Sequence, residues 1–146
     1  MQVITTEIEI AASPEQVWDV LSDVESWGDW SPIIKEVSGR PEEGSKLQVT
    51  MSGKDESKSG PKYAPTILKF SRPKKIHWRA HMMASFLFTN DKILELEEVD
   101  NGTKLIHKET FKGLMAKMMC KQMEVGVPPM LATMNMALKE KVESNK

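Results

Sequence analysis

Apolar and polar residues alternate along the first stretch of the chain, residues 2–11. Its isoleucines fall on one face and its glutamates on the other, a period of two that is typical of a half-buried strand. A helix is expected next, because Ser13 can cap it, Pro14 suits its first position and Gln16 completes a capping box. Residues 23–32, which contain a glycine and a proline, predict a second short helix or turn.

Further alternating segments fill the middle of the chain. Residues 53–62 hold no apolar side chain and predict a solvated loop, and Asn101-Gly102 is a strong hairpin signal. The strand candidates after the short helices are residues 33–38, 46–52, 63–71, 75–83, 86–99 and 103–112. Six or seven consecutive strands, counting the first, predict an antiparallel meander rather than alternating β-α-β units.

The longest helical stretch runs from Gly113 to about residue 143. Met115, Met119 and Met123 recur every four residues along it, the spacing of one helix face. Gly126-Val127-Pro128-Pro129 interrupts the pattern. An interior proline removes a backbone donor and clashes with the preceding turn, so the helix is expected to kink or restart there. Such a break would let one half of the helix move as a ligand gate.

Composition and charge exclude several classes of protein. The 146 residues carry 20 basic and 21 acidic side chains, a net charge of -1, which argues against a dedicated nucleic-acid binder. The one cysteine excludes an internal disulfide and any multi-cysteine metal site. No apolar run approaches ~18 residues, so no stable membrane insertion is expected. The first residues show no signal peptide, and cytoplasmic residence is the default expectation.

Five short motifs carry a resemblance to a known superfamily. They are residues 13–23 (SPEQVWDVLSD), 30–32 (WSP), 101–105 (NGTKL), 109–113 (ETFKG) and 135–139 (NMALK). In this order and spacing they resemble the START-like or SRPBCC superfamily, also called Bet v 1-like, and most closely its polyketide cyclase/dehydrase and lipid transport branch.

The resemblance implies an α+β helix-grip fold. A curved antiparallel sheet of six to seven strands would wrap a long C-terminal helix, with two short helices after the first strand. The whole chain, residues 1–146, is then expected to form a single START-like domain. Members of the superfamily share a cavity between the sheet and the long helix, but their functions differ, so the fold alone does not settle the activity.

Two polar residues of the last strand are the weak candidates for catalysis. Lysines mark one face of residues 103–112 as solvent-facing, so the period of two points His107 and Glu109 toward the concave face. There they could orient a ligand or serve as acid and base. They could also pair with each other, cap a helix or turn outward at a bulge. His77 and His81 are interpreted as surface histidines, and no metal site or cofactor is expected.

The leading hypothesis is a carrier or sensor of a small hydrophobic molecule, such as a lipid, an isoprenoid or a polyketide-like compound. The alternatives are a polyketide cyclase/dehydratase-type enzyme and an Hsp90-activator-like interaction module, which a small, filled cavity would favour. Apolar burial would supply most of the binding, with one or two polar groups that set orientation. The expected ligand-binding residues are Trp78, Met82, Phe88, Leu94, Leu96, His107, Glu109, Phe111, Met115, Met119 and Met123.

Overall fold

A computed structural model describes residues 1–54 and 58–146. Eight strands, a single 3-10 turn at Val24–Ser26 and four helices follow one another in this part of the chain. The strands are β1 (Gln2–Ile10), β2 (Ile34–Ser38), β3 (Gln48–Ser52), β4 (Ser59–Tyr63), β5 (Thr66–Ser71), β6 (Lys75–His81), β7 (Thr89–Val99) and β8 (Gly102–Lys112). The helices are α1 (Pro14–Leu21), α2 (Trp27–Trp30), α3 (Leu114–Met118) and α4 (Cys120–Ser144).

The strands form two antiparallel sheets. One has five strands in the order β1-β8-β7-β6-β5, and the other has three in the order β2-β3-β4. An isolated bridge between Lys46 and Thr66 links the two. This is the expected α+β helix-grip fold, with a meander of consecutive strands and a long C-terminal helix. One strand more than expected appears, because β4 starts inside the segment predicted as a loop; residues 55–57 of that segment lie outside the described residues.

The first strand closes the large sheet against the last one. β1 pairs with β8 along its whole length, and Thr6 lies opposite His107 in this register. β7 and β8 are joined by the tight turn predicted at Asn101, with Val99 opposite Gly102. The predicted capping box is also present, because Ser13 and Gln16 exchange hydrogen bonds at the start of α1. These local signals therefore define the start of α1 and the hairpin between β7 and β8.

Two clusters of buried side chains hold the layers together. The main cluster joins α1, both sheets and the C-terminal half of α4, and Trp18, Trp27 and Trp78 are almost fully buried in it. The second cluster is smaller and lies at the other end of the sheet; it consists of Ile4, Phe111, Ala116, Met123 and Leu131.

The C-terminal helical stretch breaks at a different place from the one predicted. Residues 120–144 form one continuous helix with Pro128 and Pro129 inside it, and the interruption falls at Met119, between α3 and α4. The prolines leave the carbonyl groups of Glu124 and Val125 without helical donors. Both residues are exposed, so water can bond these carbonyl groups and the helix can continue. None of the described helices is long and apolar enough to cross a lipid bilayer.

Candidate functional site

A cavity of about 220 Å³ lies where the small sheet, one end of the large sheet and α4 meet. Most of its wall is apolar, but β7 and β8 contribute three polar side chains. The lining residues are Ile33, Ile34, Met51, Pro61, Tyr63, Met82, Phe88, Asn90, Lys92, Glu109, Phe111, Val127, Met130 and Leu131. An apolar pocket with a few convergent polar groups is the usual form of a small-molecule site.

Lys92 is the most unusual residue of this wall, since its side chain is only 5% exposed. It lies directly opposite Glu109 in the pairing of β7 with β8. Its Nζ donates a hydrogen bond to Nε2 of His107 at 2.7 Å and lies 3.5 Å from Oε2 of Glu109. Burial lowers the pKa of Lys92, although the charge of Glu109 and the hydrogen bond to it act in the opposite direction. A buried amine is thus held between an imidazole and a carboxylate.

Glu109 is held in place by Asn90 on the neighbouring strand. Nδ2 of Asn90 donates to Oε1 of Glu109 at 2.9 Å and to the carbonyl of Thr110 at 3.2 Å. The carboxylate therefore has a fixed orientation on the cavity wall. Its negative charge also reaches the Tyr63 phenol, whose pKa is raised first by burial and then by Glu109. Tyr63 consequently stays protonated and can act only as a neutral group.

His107 lies behind the wall and is completely buried. Its Nδ1 is 2.8 Å from Oδ1 of Asn135 on α4, while Nδ2 of Asn135 donates to Oγ1 of Thr6. Because an amide oxygen can only accept, Nδ1 must carry the proton and Nε2 must accept from Lys92. Burial, together with the charge of Lys92, lowers the pKa of His107 well below 6.5. The imidazole is therefore neutral and has a single tautomer.

Four of the expected ligand-binding residues line this cavity: Met82, Phe88, Glu109 and Phe111. His107 and Glu109 both face inward, as the period of two predicted, and they do not bond to each other. The structure places His107 one layer deeper than the cavity because Lys92 covers it. Trp78, Leu94 and Leu96 are packed into the main cluster and do not line the cavity.

The methionine stripe that was expected to line the cavity does not do so. Met123 is buried in the second cluster, Met119 forms the exposed junction between the two helices, and Met115 lies on α3. The break at Met119 separates α3 from α4, so Met115 does not lie on the same helix as Met123. Instead, α4 presents Val127 and Met130 to the cavity, together with a neighbouring leucine.

Sequence reasoning missed Asn90, Lys92 and Asn135. A signal existed for the first two, because they share the inner face of β7 with Leu94 and Leu96 at a period of two. A lysine in that position would ordinarily be assigned to solvent, so the buried Lys92 interrupts the hydrophobic alternation of β7. No comparable signal existed for Asn135, whose contact with His107 joins residues 28 positions apart.

The other histidines lie on the outer face of the large sheet. Nε2 of His77 contacts Asp91 at 2.8 Å, and Arg79 makes two hydrogen bonds to the same carboxylate. His81 bonds to Thr89. Within the described residues, no group of three or more His, Cys, Asp or Glu side chains is placed to hold a metal ion.

A second, wider depression lies beside β1 and α3, with a volume of about 640 Å³. It is a groove on the surface, lined by the first four residues, the end of β8 and exposed lysines such as Lys117. None of the buried polar residues of the cavity faces it. The smaller cavity is therefore the better candidate for the functional site.

Comparison with known proteins places the whole chain in one family. Residues 1–143 match the family described as "Polyketide cyclase / dehydrase and lipid transport". No curated protein matches the sequence.

Solved structures share the fold at low sequence identity. Protein NE0264 from Nitrosomonas europaea has a TM-score of 0.76 at 16% identity, covering 98% of this chain and 95% of that one. The Zhui aromatase/cyclase from Streptomyces sp. R1128 has a TM-score of 0.73 at 19% identity, with coverage of 97% and 93%. Ara h 8.0201 has a TM-score of 0.67 at 15% identity and 98% coverage of both chains.

Proposed function

This chain belongs to the polyketide cyclase/dehydrase and lipid transport family, and from that premise we propose that it binds a small, mostly apolar molecule that carries an oxygen group. One observation supports this most directly: the apolar cavity contains a buried Lys92–Glu109 pair on its wall. Burying two charges is expensive, and replacing such a pair by apolar residues is often neutral or stabilising. Folding therefore does not require a buried pair at this place, and a ligand that bonds to it accounts for its position on the cavity wall.

The cavity wall supplies both parts of such an interaction. Apolar burial contributes about 25 cal/mol per Å² of ligand surface removed from water. Lys92 has three donor protons, of which one goes to His107, so a ligand oxygen can accept another. The carboxylate of Glu109 can accept a hydrogen bond from a ligand hydroxyl. The ligand would thus be oriented with its oxygen toward β7 and β8 and its apolar part toward α4.

The size of the cavity narrows the class of ligand. A volume of 220 Å³ equals that of about seven molecules of liquid water and is smaller than the ~300–1,000 Å³ of common ligand pockets. One or two fused rings, or a short chain, suit this space better than a sterol. Longer molecules require the rim to open, and flexible Met82 and Met130, each about 40% exposed, form part of that rim.

A titration with a matched pair of ligands tests the proposal. 2-Acetylnaphthalene and 2-ethylnaphthalene have nearly the same shape, but only the ketone offers an oxygen acceptor. We expect the ketone to bind more tightly by about 1.5–3 kcal/mol, the range for a hydrogen bond to a charged group. Calorimetry should show that Lys92→Met removes this difference.

Lys108→Met is the matched control, because Lys108 lies on the neighbouring strand β8 and faces outward toward Glu95. This variant should keep the preference for the ketone. If neither naphthalene binds saturably to the native protein, the interaction-module alternative gains support and the binding proposal fails.

A cyclase/dehydratase-type enzyme is the second candidate, and the fixed carboxylate of Glu109 on the cavity wall favours it. A general base must reach the proton that it removes, and Glu109 faces the cavity whereas His107 does not. On this alternative, Glu109→Gln would abolish turnover of a poly-ketone substrate. Turnover that persists in Glu109→Gln would exclude this role.

A further inference from the structure

Lys92 brings a primary amine to the wall of an apolar cavity, and it is the only amine among the described residues that line it. We propose that Lys92 condenses reversibly with ligands that carry an aldehyde or ketone group, so that the cavity holds carbonyl compounds as imines. This inference rests on the proposed function, since the ligand must first occupy the cavity. It adds a covalent step to the proposed binding. It also restricts the ligands that react to aldehydes and ketones, which hydrogen bonding alone does not require.

The neighbours of the amine match the needs of imine formation. Nε2 of His107, at 2.7 Å, carries no proton and accepts one N–H of Lys92, which fixes the direction of the nitrogen. Oε2 of Glu109, at 3.5 Å, is close enough to exchange protons with the nitrogen or with an oxygen bound beside it. Asn90 keeps that carboxylate in place.

The step balances without an oxidant or a reductant. The lone pair of the neutral amine attacks the carbonyl carbon and forms a C–N bond, and the electron pair of the C=O bond moves to oxygen. Glu109 takes one proton from the nitrogen and delivers it to this oxygen, which becomes a hydroxyl. Glu109 then takes the second N–H proton and passes it to the hydroxyl, which leaves as water while the nitrogen electron pair forms the C=N bond. One amine and one carbonyl compound give one imine and one water.

The surroundings of Lys92 increase the fraction of the amine that is unprotonated and therefore reactive. Only the unprotonated form is a nucleophile, and desolvation in an apolar pocket is an established way to activate a lysine. Burial lowers the pKa of Lys92. Apolar walls also exclude the bulk water that would hydrolyse the product, so the imine should persist longer than one formed on an exposed lysine.

Reductive trapping tests this inference. The protein is incubated with 2-naphthaldehyde and sodium cyanoborohydride at neutral pH, and the labelled lysine is identified by peptide mass spectrometry. We expect an adduct with the mass of the aldehyde less one oxygen, formed at Lys92 at least ten times faster than at any exposed lysine. Lys92→Met should lack this adduct, whereas Lys108→Met should keep it. Glu109→Gln should slow its formation about ten-fold.

Binding of 2-naphthalenemethanol separates this inference from the proposed function, because an alcohol occupies the cavity but cannot form an imine. If the alcohol binds to the folded protein and Lys92 is labelled no faster than surface lysines, imine formation is refuted and the proposed function stands. If the alcohol does not bind and Lys92 is not labelled, both fail. Circular dichroism of Lys92→Met checks that the variant folds. If the variant does not fold, the labelling rate of Lys92 in the native protein still decides whether the imine forms.

Discussion

His107 shows how one side chain can satisfy a sequence rule and still have a different role from the one expected. The period of two correctly turns it inward, but Lys92 and Asn135 enclose it on both sides. Its contacts are those of a structural hydrogen-bond relay that extends from α4 to β7. Its contribution to the site is therefore indirect, through the position of the Lys92 amine.

Asn135→Ala should destabilise the fold by about 1–3 kcal/mol. The change leaves Nδ1 of His107 and Oγ1 of Thr6 without the partners that the amide supplies, and an unpaired buried polar group loses its hydration without compensation. Urea denaturation measures the loss. Met136→Ala, at the exposed neighbouring position, is the control and should change the free energy of unfolding by less than about 0.5 kcal/mol. If Asn135→Ala and Met136→Ala lower the free energy of unfolding equally, the hydrogen-bond relay through Asn135 is contradicted.

Stability should fall as the pH is lowered below about 6.5. The folded protein keeps His107 neutral with a pKa well below that value, while the unfolded chain binds a proton at its ordinary pKa. The unfolded state therefore holds more protons in this window, and up to about 1.4 kcal/mol is lost per pH unit. Urea denaturation between pH 7 and pH 5 measures the slope.

The variant His107→Gln tests the assignment of this slope to one residue. A glutamine does not titrate, so the dependence between pH 6.5 and pH 5 should become shallower. His81→Gln, at an exposed histidine, is the matched control and should keep the native slope. A slope that is unchanged in His107→Gln would show that another group causes it.

At the scale of single residues, the sequence predicted which face of a strand a side chain lies on better than it predicted which residues that side chain contacts. Alternation along β8 was sufficient to place Glu109 on the inner face, and the same alternation along β7 could have placed Asn90 and Lys92 there. The hydrogen bond between His107 and Asn135 could not be predicted from the sequence, because it depends on the rotation of α4 about its own axis. That rotation is set by packing among residues far apart in the chain.

At the scale of elements, the C-terminal helix gives the clearest difference between pattern and structure. Pro128 and Pro129 predicted a kink or a restart, yet the helix does not restart there, because the carbonyl groups that the prolines leave free lie in an exposed turn. The actual break at Met119 has no comparable signal in the sequence. A glycine is needed earlier, at Gly113, because its φ of 114° turns the chain out of β8 and a Cβ there would meet the backbone of Leu87.

Replacing both prolines by alanine should stabilise the protein by about 1–3 kcal/mol. Alanine restores the two backbone donors, and the gain is reduced because proline also restricts the unfolded chain. Hydrogen exchange at residues 124–127 should be slower in the variant than in the native protein. Pro41→Ala, in an exposed turn outside any helix, is the control and should give no such gain. A double variant less stable than the native protein would contradict this expectation.

At the scale of the whole molecule, the cavity can be separated from the fold experimentally. Val127→Phe places a larger side chain on the cavity wall and should weaken binding of 2-acetylnaphthalene at least ten-fold, while the free energy of unfolding stays within about 1 kcal/mol. Val125→Phe, two residues earlier and 77% exposed, adds the same volume outside the cavity and should leave binding unchanged. Equal binding by the two variants would place the ligand elsewhere.

The overall architecture was largely predictable because it depends on short-range signals that occur in order. The capping box, the alternation of apolar and polar residues and the turn near Asn101 each define a local element. The order of these elements along the chain fits a meander followed by a helix. The division of the strands into two sheets was not predictable in the same way. Four of the five residues of β4 lie in the segment predicted as a solvated loop, and pairing of the backbone with β3 holds them in a strand where the hydrophobic pattern gives no signal.

The division of α4 between two sets of neighbours has a consequence for divergence among related proteins. Met134, Leu138 and Val142 attach the helix to the main cluster, whereas Val127 and Met130 face the cavity and belong to the other half of the helix. Selection can therefore exchange the cavity-facing positions while the anchoring positions conserve the fold. A library randomised at residues 51, 82, 127 and 130 should retain mostly folded members and still yield new ligand preferences.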